Sequence, residues 1–309
     1  MEAQKELDNL NVRAVLGINE EEVNKFSNKY GIEKKYVDYD ELLANDEIDF
    51  VYIGLPNHLH FSYAKKALER KKSVIVEKPF VPTVEEVDIL LEIAKENKMM
   101  IFDAITTKYN PLINTIENSL KEVGNIKNVT SIYCQYSKRY DQVRQGIIPS
   151  VFDLKENGGC LNDLGIYPVM FNVALFGKPQ NVKYYSNKLE NGCDTSGVAI
   201  LQYPKFISTI RIAKDSFTEN RCTIEGDDGS IFVDDDCFRF PNVRLRKNKS
   251  DQGKELEKFE DDIIANEFKF FVNTYLNKDF DLCYKKIVQT RDVIDIMKKL
   301  AESDEIYYN

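Results

Sequence analysis

The chain has 309 residues, enough for about two domains and for a sizeable hydrophobic core without disulfide or metal support. Hydrophobic residues make up 43% and charged residues 30%, which excludes a largely disordered chain. The formal charge of −9 disfavours a nucleic-acid partner, and no run approaches the roughly 18 apolar residues that a membrane span requires.

The cysteine and histidine content predicts the compartment and argues against metal chemistry. The first residues lack the basic and apolar regions of a secretory signal, and the six cysteines form no CxxC motif. We therefore expect free thiols in a soluble, cytoplasmic protein. Only two histidines are present, His58 and His60, so we expect no histidine-rich zinc site and no bound metal.

The first third of the chain alternates short apolar runs with helical patterns. Strands are predicted at 12–16, 49–55, 73–76 and 99–105, and helices at 20–30, 60–70 and 84–97. Thr83 and Glu86 form a capping-box pattern before the third of these helices. Strands that alternate with crossover helices predict a parallel sheet covered on both faces.

The middle of the chain has a different pattern. Short strands are predicted at 128–137, 180–187, 197–203, 206–214, 220–225 and 229–234, with helices near 111–122, 163–176, 263–276 and 284–302. This predicts a mostly antiparallel sheet with a helix packed on it. We place the boundary near 105–111 and divide the chain into domains 1–107 and 108–309. The acidic run 255–262 and the three aspartates 234–236 are predicted to be an exposed loop and a solvated turn.

A glycine-rich phosphate loop is missing from the expected place. Parallel folds that bind dinucleotides begin with a strand, a glycine-rich turn and a helix, but the chain contains no G-x-G-x-x-G. Counting back about 20 residues from the second strand passes the first methionine. Either the native protein begins further upstream, which we favour, or the short chain is genuine and its cofactor site is damaged. In the second case the loss of the central strand would leave two sheet edges uncovered.

Three polar segments follow predicted strands or open a helix. Lys78 follows an apolar strand and precedes a proline, where a lysine can lower the pKa of a neighbouring acid and hold a substrate hydroxyl. Asp163 and Tyr167 are four residues apart and share one face of the predicted helix. Taken singly, Lys78 also fits a solvated surface lysine, and the Asp163–Tyr167 pair fits a structural hydrogen bond.

Together these segments carry a family resemblance. Pro-Asn-x-x-His at 56–60, Glu-Lys-Pro at 77–79 and Gly-Gly-x-x-x-Asp-x-Gly-x-Tyr at 158–167 occur in the order found in the glucose–fructose oxidoreductase, inositol dehydrogenase and MocA family (Gfo/Idh/MocA). Segments 106–111 and 224–233 are also similar. Because Tyr167 stands where many members have histidine, the chain resembles the branch that includes glucose–fructose oxidoreductase, D-xylose dehydrogenase and dihydrodiol dehydrogenase.

The resemblance implies a fold and an activity. The fold would be a Rossmann-like doubly wound parallel sheet, with its first strand missing, followed by a C-terminal α+β domain with a large open, mostly antiparallel sheet. The activity would be NAD(P)-dependent hydride transfer to or from a sugar, a polyol or a related cyclic carbinol or carbonyl compound. That open sheet commonly forms the oligomer interface, so we expect a homodimer or a higher homo-oligomer.

The resemblance also implies site residues. Lys78 and Tyr167 would be the catalytic pair, with Asp163 supporting the substrate or the lysine. A free tyrosine has a pKa near 10 and needs a nearby cation to exchange protons at neutral pH. The residues expected along the cofactor are Pro56, Asn57, His60, Glu77, Lys78 and Pro79. The substrate contacts implied are Lys108, Arg139 and Tyr140, although the last two also fit a solvated strand end.

Several alternatives stay open. His60 can equally be a packing or capping residue, and the Lys78-Pro79 bond can be cis or trans. Gly17, Ile18 and Asn19 follow the second strand of the fold, where an Asp would select NAD and an Arg NADP. The cofactor is therefore NADP or NAD, with a slight lean to NADP. The alternative to an enzyme is a pseudoenzyme, or a ligand-sensing or scaffold protein, with a defective cofactor site.

Overall fold

The computed structural model describes residues 7, 9–247, 253–259 and 262–308. These residues group into two compact units. The first unit comprises Met1–Ile105 and Asp261–Arg291, and the second comprises Thr106–Glu260 and Asp292–Asn309. The grouping differs from the domain division predicted from the sequence, because residues 261–291 join the first unit.

Parallel strands form the centre of the first unit. Strands β1 (Ala14–Leu16) and β2 (Lys34–Tyr36) pair as a two-stranded parallel sheet. Strands β3 (Phe50–Ile53), β4 (Ser73–Glu77) and β5 (Ile101–Ala104) pair as a three-stranded parallel sheet in that order. The middle strand β4 is buried from residue 73 to 76, as a parallel strand covered on both faces should be. The predicted parallel fold is therefore confirmed.

Local signals explain where the helices of the first unit begin and end. The helices of the described residues include Glu20–Tyr30, Tyr39–Leu43, His60–Glu69, Val84–Asn97 and Ile263–Leu276. Asn19 caps the first, and Gly31 ends it in the left-handed conformation that glycine adopts without strain. Thr83 and Glu86 make both bonds of the predicted capping box.

Aromatic and polar contacts explain why residues 261–291 belong to the first unit. The Phe271 ring stacks on Phe102 of β5 with a centroid distance of 4.6 Å. The Tyr275 hydroxyl donates to Asp49 at 2.9 Å. Arg291, in the long helix Phe280–Ser303, forms two hydrogen bonds with Asp88 at 2.6 and 2.9 Å. These partners lie more than 150 residues away in the sequence, so chain order alone assigned the segment elsewhere.

An eight-stranded sheet dominates the second unit, in the order β13-β12-β11-β10-β6-β9-β8-β7. Its strands are β6 (Ile126–Cys134), β7 (Asn181–Lys188), β8 (Asp194–Gln202), β9 (Ile207–Ala213), β10 (Arg221–Gly226), β11 (Ser230–Asp234), β12 (Asn242–Arg246) and β13 (Lys254–Lys258). Among these described strands β6 and β9 pair in parallel, and the other neighbours pair antiparallel. The mostly antiparallel sheet is confirmed.

The prediction of a loop at 255–262 is wrong as far as residue 258, because this part forms the edge strand β13. Its side chains are mostly exposed, so no apolar alternation marks it as a strand. Residues 260 and 261 lie outside the described residues. The aspartates 234–236 are also more than a solvated turn: Asp236 is buried and accepts the backbone N–H groups of Phe238 and Arg239.

One face of the large sheet is covered by the helices Leu112–Ser119 and Ile166–Phe176. Their apolar side chains pack against β6, β10, β11 and β12, with Ile116, Phe171, Val129, Ile224 and Val243 in one buried cluster. The opposite face keeps large apolar side chains exposed, among them Tyr185 and Val198. The covered face is the platform that positions the helix Ile166–Phe176.

A π-helical turn, Leu161–Gly165, runs directly into the helix Ile166–Phe176, and we call the two together the site helix. Within the described part of the chain, the stretch Leu154–Phe176 is long and apolar enough to span a membrane, with a mean hydropathy of 1.2. However, 67% of the 18-residue window that passes this test is buried inside the fold. A buried core helix passes the same test.

Candidate active site

In the first unit, the predicted nicotinamide-side residues lie in the loops that follow β3 and β4. Glu77 is held from two sides: Tyr52 donates its hydroxyl to one carboxylate oxygen, and the backbone N–H of Lys78 donates to the other at 3.1 Å. Burial and the Glu77 hydrogen bond raise the pKa of Tyr52, so its hydroxyl stays protonated. The Lys78-Pro79 bond is cis, and Lys78 is half-buried.

His60 ties these two loops together. Its side chain is fully buried, and Nδ1 lies 3.0 Å from the carbonyl oxygen of Pro79. Nε2 lies 2.8 Å from the carbonyl oxygen of Leu55. Both ring nitrogens are therefore occupied by backbone of the two loops, which supports the packing interpretation of His60. Pro56 and Asn57, in the first loop, are more open to solvent.

In the second unit, the site helix carries Asp163 and Tyr167. Asp163 lies in the π-helical turn, and its carboxylate receives the ammonium of Lys214 at 2.5 Å. Lys214 follows β9 directly, and its side chain is 5% exposed, against 43% for Asp163. The ammonium also lies 5.5 Å from the centre of the Phe152 ring. A buried lysine thus orients the more exposed carboxylate.

Two aromatic rings hold Tyr167. The rings of Phe238 and Tyr133 meet it edge to face, with centroid distances of 5.2 and 5.8 Å. Burial raises the pKa of Tyr133, and the nearby Asp236, Tyr167 and Asp163 add to the increase. Tyr133 therefore supplies a neutral wall beside Tyr167, which fixes the orientation of its ring.

The predicted substrate residues differ in their surroundings. Tyr140 packs against Phe152 at 5.7 Å and so joins the group around Lys214. Arg139 is exposed, just before the short helix Tyr140–Val143. Lys108 is only 2% exposed, in the helix Thr106–Tyr109, with its ammonium 5.1 Å from the Tyr109 ring centre.

Residues next to Lys108 hold the segment that carries Phe238, one of the two rings that pack against Tyr167. The Thr107 hydroxyl donates to the carbonyl oxygen of Cys237 at 2.7 Å, and the Asn110 amide donates to that of Arg239 at 3.3 Å. These two carbonyls flank Phe238 in the sequence. The segment around Lys108 is therefore connected to Tyr167 through Phe238.

The structure thus groups the predicted residues by unit. The second unit contains Asp163, Tyr167 and Tyr140. The first unit contains Glu77, Lys78, Pro79 and His60, which hydrogen bonds bring together. Sequence reasoning missed Lys214, Tyr133 and Phe238. The one sequence signal for Lys214 is its position directly after an apolar strand, which is also the signal that pointed to Lys78.

The first unit fits the nicotinamide end of a dinucleotide. Ligands of parallel sheets bind beyond the carboxyl ends of the strands. There the chain places Gly54, which is exposed, and Asn57 and Lys78, which are half-buried. A Cβ at Gly54 would lie 3.3 Å from the Tyr52 ring, so glycine suits this turn. The glycine-rich turn that binds the pyrophosphate in such folds does not occur in the 309 residues.

The sequence is similar to that of known oxidoreductases. Residues 1–104 match the model of an oxidoreductase family with an NAD-binding Rossmann fold, and residues 119–232 match the GFO/IDH/MocA C-terminal domain. The chain is 33% identical to the uncharacterized oxidoreductase YgjR of Escherichia coli over 234 residues. It is 32% identical to the scyllo-inositol 2-dehydrogenase (NADP(+)) IolU of Bacillus subtilis over 234 residues. Each alignment covers 76% of this chain and 71% of the relative.

A solved structure supports the fold. KijD10, a 3-ketoreductase from Actinomadura kijaniata, superimposes with a TM-score of 0.81 at 18% identity, covering 100% of this chain and 94% of that one. Fold and matches together define an NAD(P)-binding oxidoreductase that acts on hydroxyl or carbonyl groups. The chain belongs to the Gfo/Idh/MocA family.

Proposed function

We propose that the protein transfers hydride between a nicotinamide coenzyme and a secondary hydroxyl or carbonyl group of a sugar, a polyol or a related cyclic carbinol. The observation that carries this proposal is the pairing of Tyr167 and Asp163 on the site helix, with the buried Lys214 ammonium on Asp163. A phenol and a carboxylate on one continuous helix suit a substrate with neighbouring hydroxyls. The 32% identity to a scyllo-inositol dehydrogenase supports the same substrate class.

Each residue has a proposed role. Tyr167 takes the hydroxyl proton as the carbinol is oxidised and returns it in the reverse direction. Lys78 supplies the positive charge that this proton transfer needs near neutral pH. Asp163, oriented by Lys214, accepts a hydrogen bond from a substrate hydroxyl. When bound, the coenzyme supplies or accepts the hydride, and the protein supplies position and electrostatics.

The remaining site residues complete the proposal. Pro56, Asn57, Glu77, Lys78 and Pro79 contact the nicotinamide half of the coenzyme, and His60 acts through the loop backbone that it fixes. Lys108, Arg139 and Tyr140 line the substrate region. We favour NADP over NAD, because no acidic residue occupies positions 17–19 after β1, where an acid would bind the ribose of NAD. The protein would work in the cytoplasm.

We also propose a homodimer that forms through the uncovered face of the eight-stranded sheet. Tyr185, Val198 and Arg211 are direct cross-strand neighbours on β7, β8 and β9, and all three are exposed. Tyr185 is 58% and Val198 40% exposed. A row of large side chains across an open sheet is the type of surface that a second copy covers.

The test begins with coenzyme binding. NADPH and NADH are titrated into the protein while nicotinamide fluorescence is followed. NADP(+)-dependent oxidation of scyllo-inositol and of common aldoses is then measured. We expect Tyr167→Phe and Lys78→Ala to lower kcat by about 10²-fold or more, with the Kd for NADPH unchanged in Tyr167→Phe. Full turnover by Tyr167→Phe would refute the assignment, and failure to bind either coenzyme would favour a ligand-sensing or scaffold role.

A further inference from the structure

We propose that Asp194 is a positioning residue, which fixes the first turn of the site helix and thereby aims Asp163 and Tyr167. This inference rests on the proposed function, because it takes Tyr167 to exchange the proton and Asp163 to bind a substrate hydroxyl. Asp194 itself is fully buried and accepts the backbone N–H of Leu161, at the start of the turn that contains Asp163. It therefore acts through the backbone of that turn.

The contacts of Asp194 point to the start of the site helix. It is the first residue of β8, and its Oδ2 accepts the backbone N–H of Leu161 at 2.7 Å. The same oxygen accepts the hydroxyl of Tyr184 at 2.8 Å. Leu161 begins the π-helical turn, two residues before Asp163. A carboxylate that accepts an N–H at a helix start satisfies an otherwise unpaired donor and complements the helix dipole.

Two glycines make room for this arrangement. Gly159 has a φ of 129°, and a Cβ at that position would collide with Oδ1 of Asp194. A Cβ at Gly197 would collide with the Tyr184 hydroxyl. Gly159, the second glycine of the Gly158-Gly159 motif, thus allows the buried carboxylate of Asp194 to approach the turn closely. Gly197 allows the tyrosine to reach the carboxylate from the neighbouring strand.

The cost of burying Asp194 argues that the contact is specific. Burial raises the pKa of Asp194, and the hydrogen bonds from Tyr184 and from the backbone of Leu161 act in the opposite direction. A carboxyl this deep is costly unless hydrogen bonds replace its lost hydration. Here they hold the turn whose N–H of Asp163 donates to the Gly159 carbonyl at 3.2 Å. A loosened turn would change the direction in which Asp163 and Tyr167 point.

Hydrogen exchange and kinetics together test the proposal. Asp194→Ala, Asp194→Asn and Tyr184→Phe are compared by amide exchange over residues 158–168, by kcat, and by the Kd for NADPH. The matched control is Tyr203→Phe, which removes a buried tyrosine hydroxyl bonded at 3.0 Å to the Gly177 carbonyl at the other end of the site helix. Tyr203 is not one of the proposed site residues.

We expect Asp194→Ala to raise exchange over 158–168 and to lower kcat, each by about tenfold or more, the effect of losing a buried charged hydrogen bond. The Kd for NADPH should stay within about twofold, because the proposed coenzyme contacts lie in the first unit. Asp194→Asn should recover most of kcat, since its amide oxygen can accept both bonds. Tyr184→Phe should fall between the two, and Tyr203→Phe should leave kcat unchanged.

Two results would overturn the inference. One is Asp194→Ala with unchanged exchange over 158–168. The other is increased exchange there with wild-type kcat. Should Asp194→Ala fail to fold, Tyr184→Phe decides, because it removes a single hydroxyl. Failure of the proposed function has a separate signature: Tyr167→Phe would keep full turnover, while the exchange measurement would still report whether Asp194 holds the turn.

Discussion

The ammonium of Lys214 lies 2.5 Å from a carboxylate oxygen of Asp163, and the lysine is the more buried partner, with 5% of its side chain exposed against 43%. Buried in this way, the lysine cannot adjust to the carboxylate, so the carboxylate adopts the position that the lysine sets. Asp163 therefore has a cation within its own unit.

This relationship predicts the effect of losing Lys214. Lys214→Met keeps the length of the side chain but leaves Asp163 without its orienting cation, so kcat/KM should fall by about tenfold or more. Lys178→Met is the matched control, because Lys178 also lies 2.5 Å from an aspartate, Asp295, at a more exposed place. Steady-state kinetics of both variants provides the measurement, and equal losses in the two would contradict the role of Lys214.

Coenzyme preference can be tested at Asn19. This residue caps the helix Glu20–Tyr30 by accepting the N–H of Glu22 at 2.9 Å, and aspartate is an equally good cap. Asn19→Asp should therefore keep the helix while adding the acid that binds the ribose of NAD. We expect the ratio of the Kd for NADH to that for NADPH to fall by about tenfold.

The control for this prediction is Asn24→Asp, which adds the same charge to the same helix further from the end of β1. Its coenzyme ratio should match that of the wild type. An unchanged ratio in Asn19→Asp would mean that position 19 does not contact the ribose.

Oligomeric state tests the exposed sheet face. A charge at Val198, between Tyr185 and Arg211 in the sheet, should prevent a second copy from covering this row. We expect the wild type to be a dimer by light scattering at micromolar concentration, and Val198→Glu to be a monomer. Leu276→Glu, at a 55% exposed position of the first unit, should remain a dimer. A monomeric wild type would remove the basis of the proposed interface.

The Asp88–Arg291 ion pair predicts a pH dependence of stability. Arg291 lowers the pKa of Asp88 below its ordinary value of 3.8, so the folded state favours the charged carboxylate. The stabilisation is fully present above pH 3.8 and is lost as the pH falls through the lowered pKa. Asp88→Asn should lower the melting temperature by about 2 °C at pH 7. The difference should vanish at a pH well below 3.8.

The control for this effect is Glu69→Gln, which breaks the looser pair with Lys65 at 3.9 Å. Its melting temperature should follow that of the wild type at every pH. A deficit of Asp88→Asn that persists in acid would show that the carboxylate acts through something other than its charge.

Local signals account for much of the fold that the sequence predicts. The capping box of Thr83 and Glu86 and the apolar spacing behind it define a helix that the structure places at Val84–Asn97. By contrast, β2 and β13 are short and rich in charge, and they are strands because a neighbouring backbone pairs with them. Pairing of this kind depends on tertiary structure, which periodicity does not record.

The geometry of the candidate active site is likewise predictable only in part. The spacing of Asp163 and Tyr167 brings both onto one helix, as predicted. The π-helical turn, and the lysine that reaches Asp163 from 51 residues further along the chain, depend on where β9 lies in the sheet. Likewise, the burial of His60 between two loops follows from the parallel order of β3 and β4, and a histidine in a sequence carries no sign of it.

The close contact between Gly197 and Tyr184 restricts which residues can stand together at these two positions. Any side chain at position 197 would occupy the space of the tyrosine hydroxyl, so the glycine cannot be replaced alone while the tyrosine stays. Related chains should therefore change the two positions together, a smaller residue at 184 accompanying a side chain at 197. Gly159 should stay glycine whatever residue stands at position 194, because its φ of 129° strains any other side chain. Positions 184 and 197 would then appear as a correlated substitution, beside an unchanging glycine at 159.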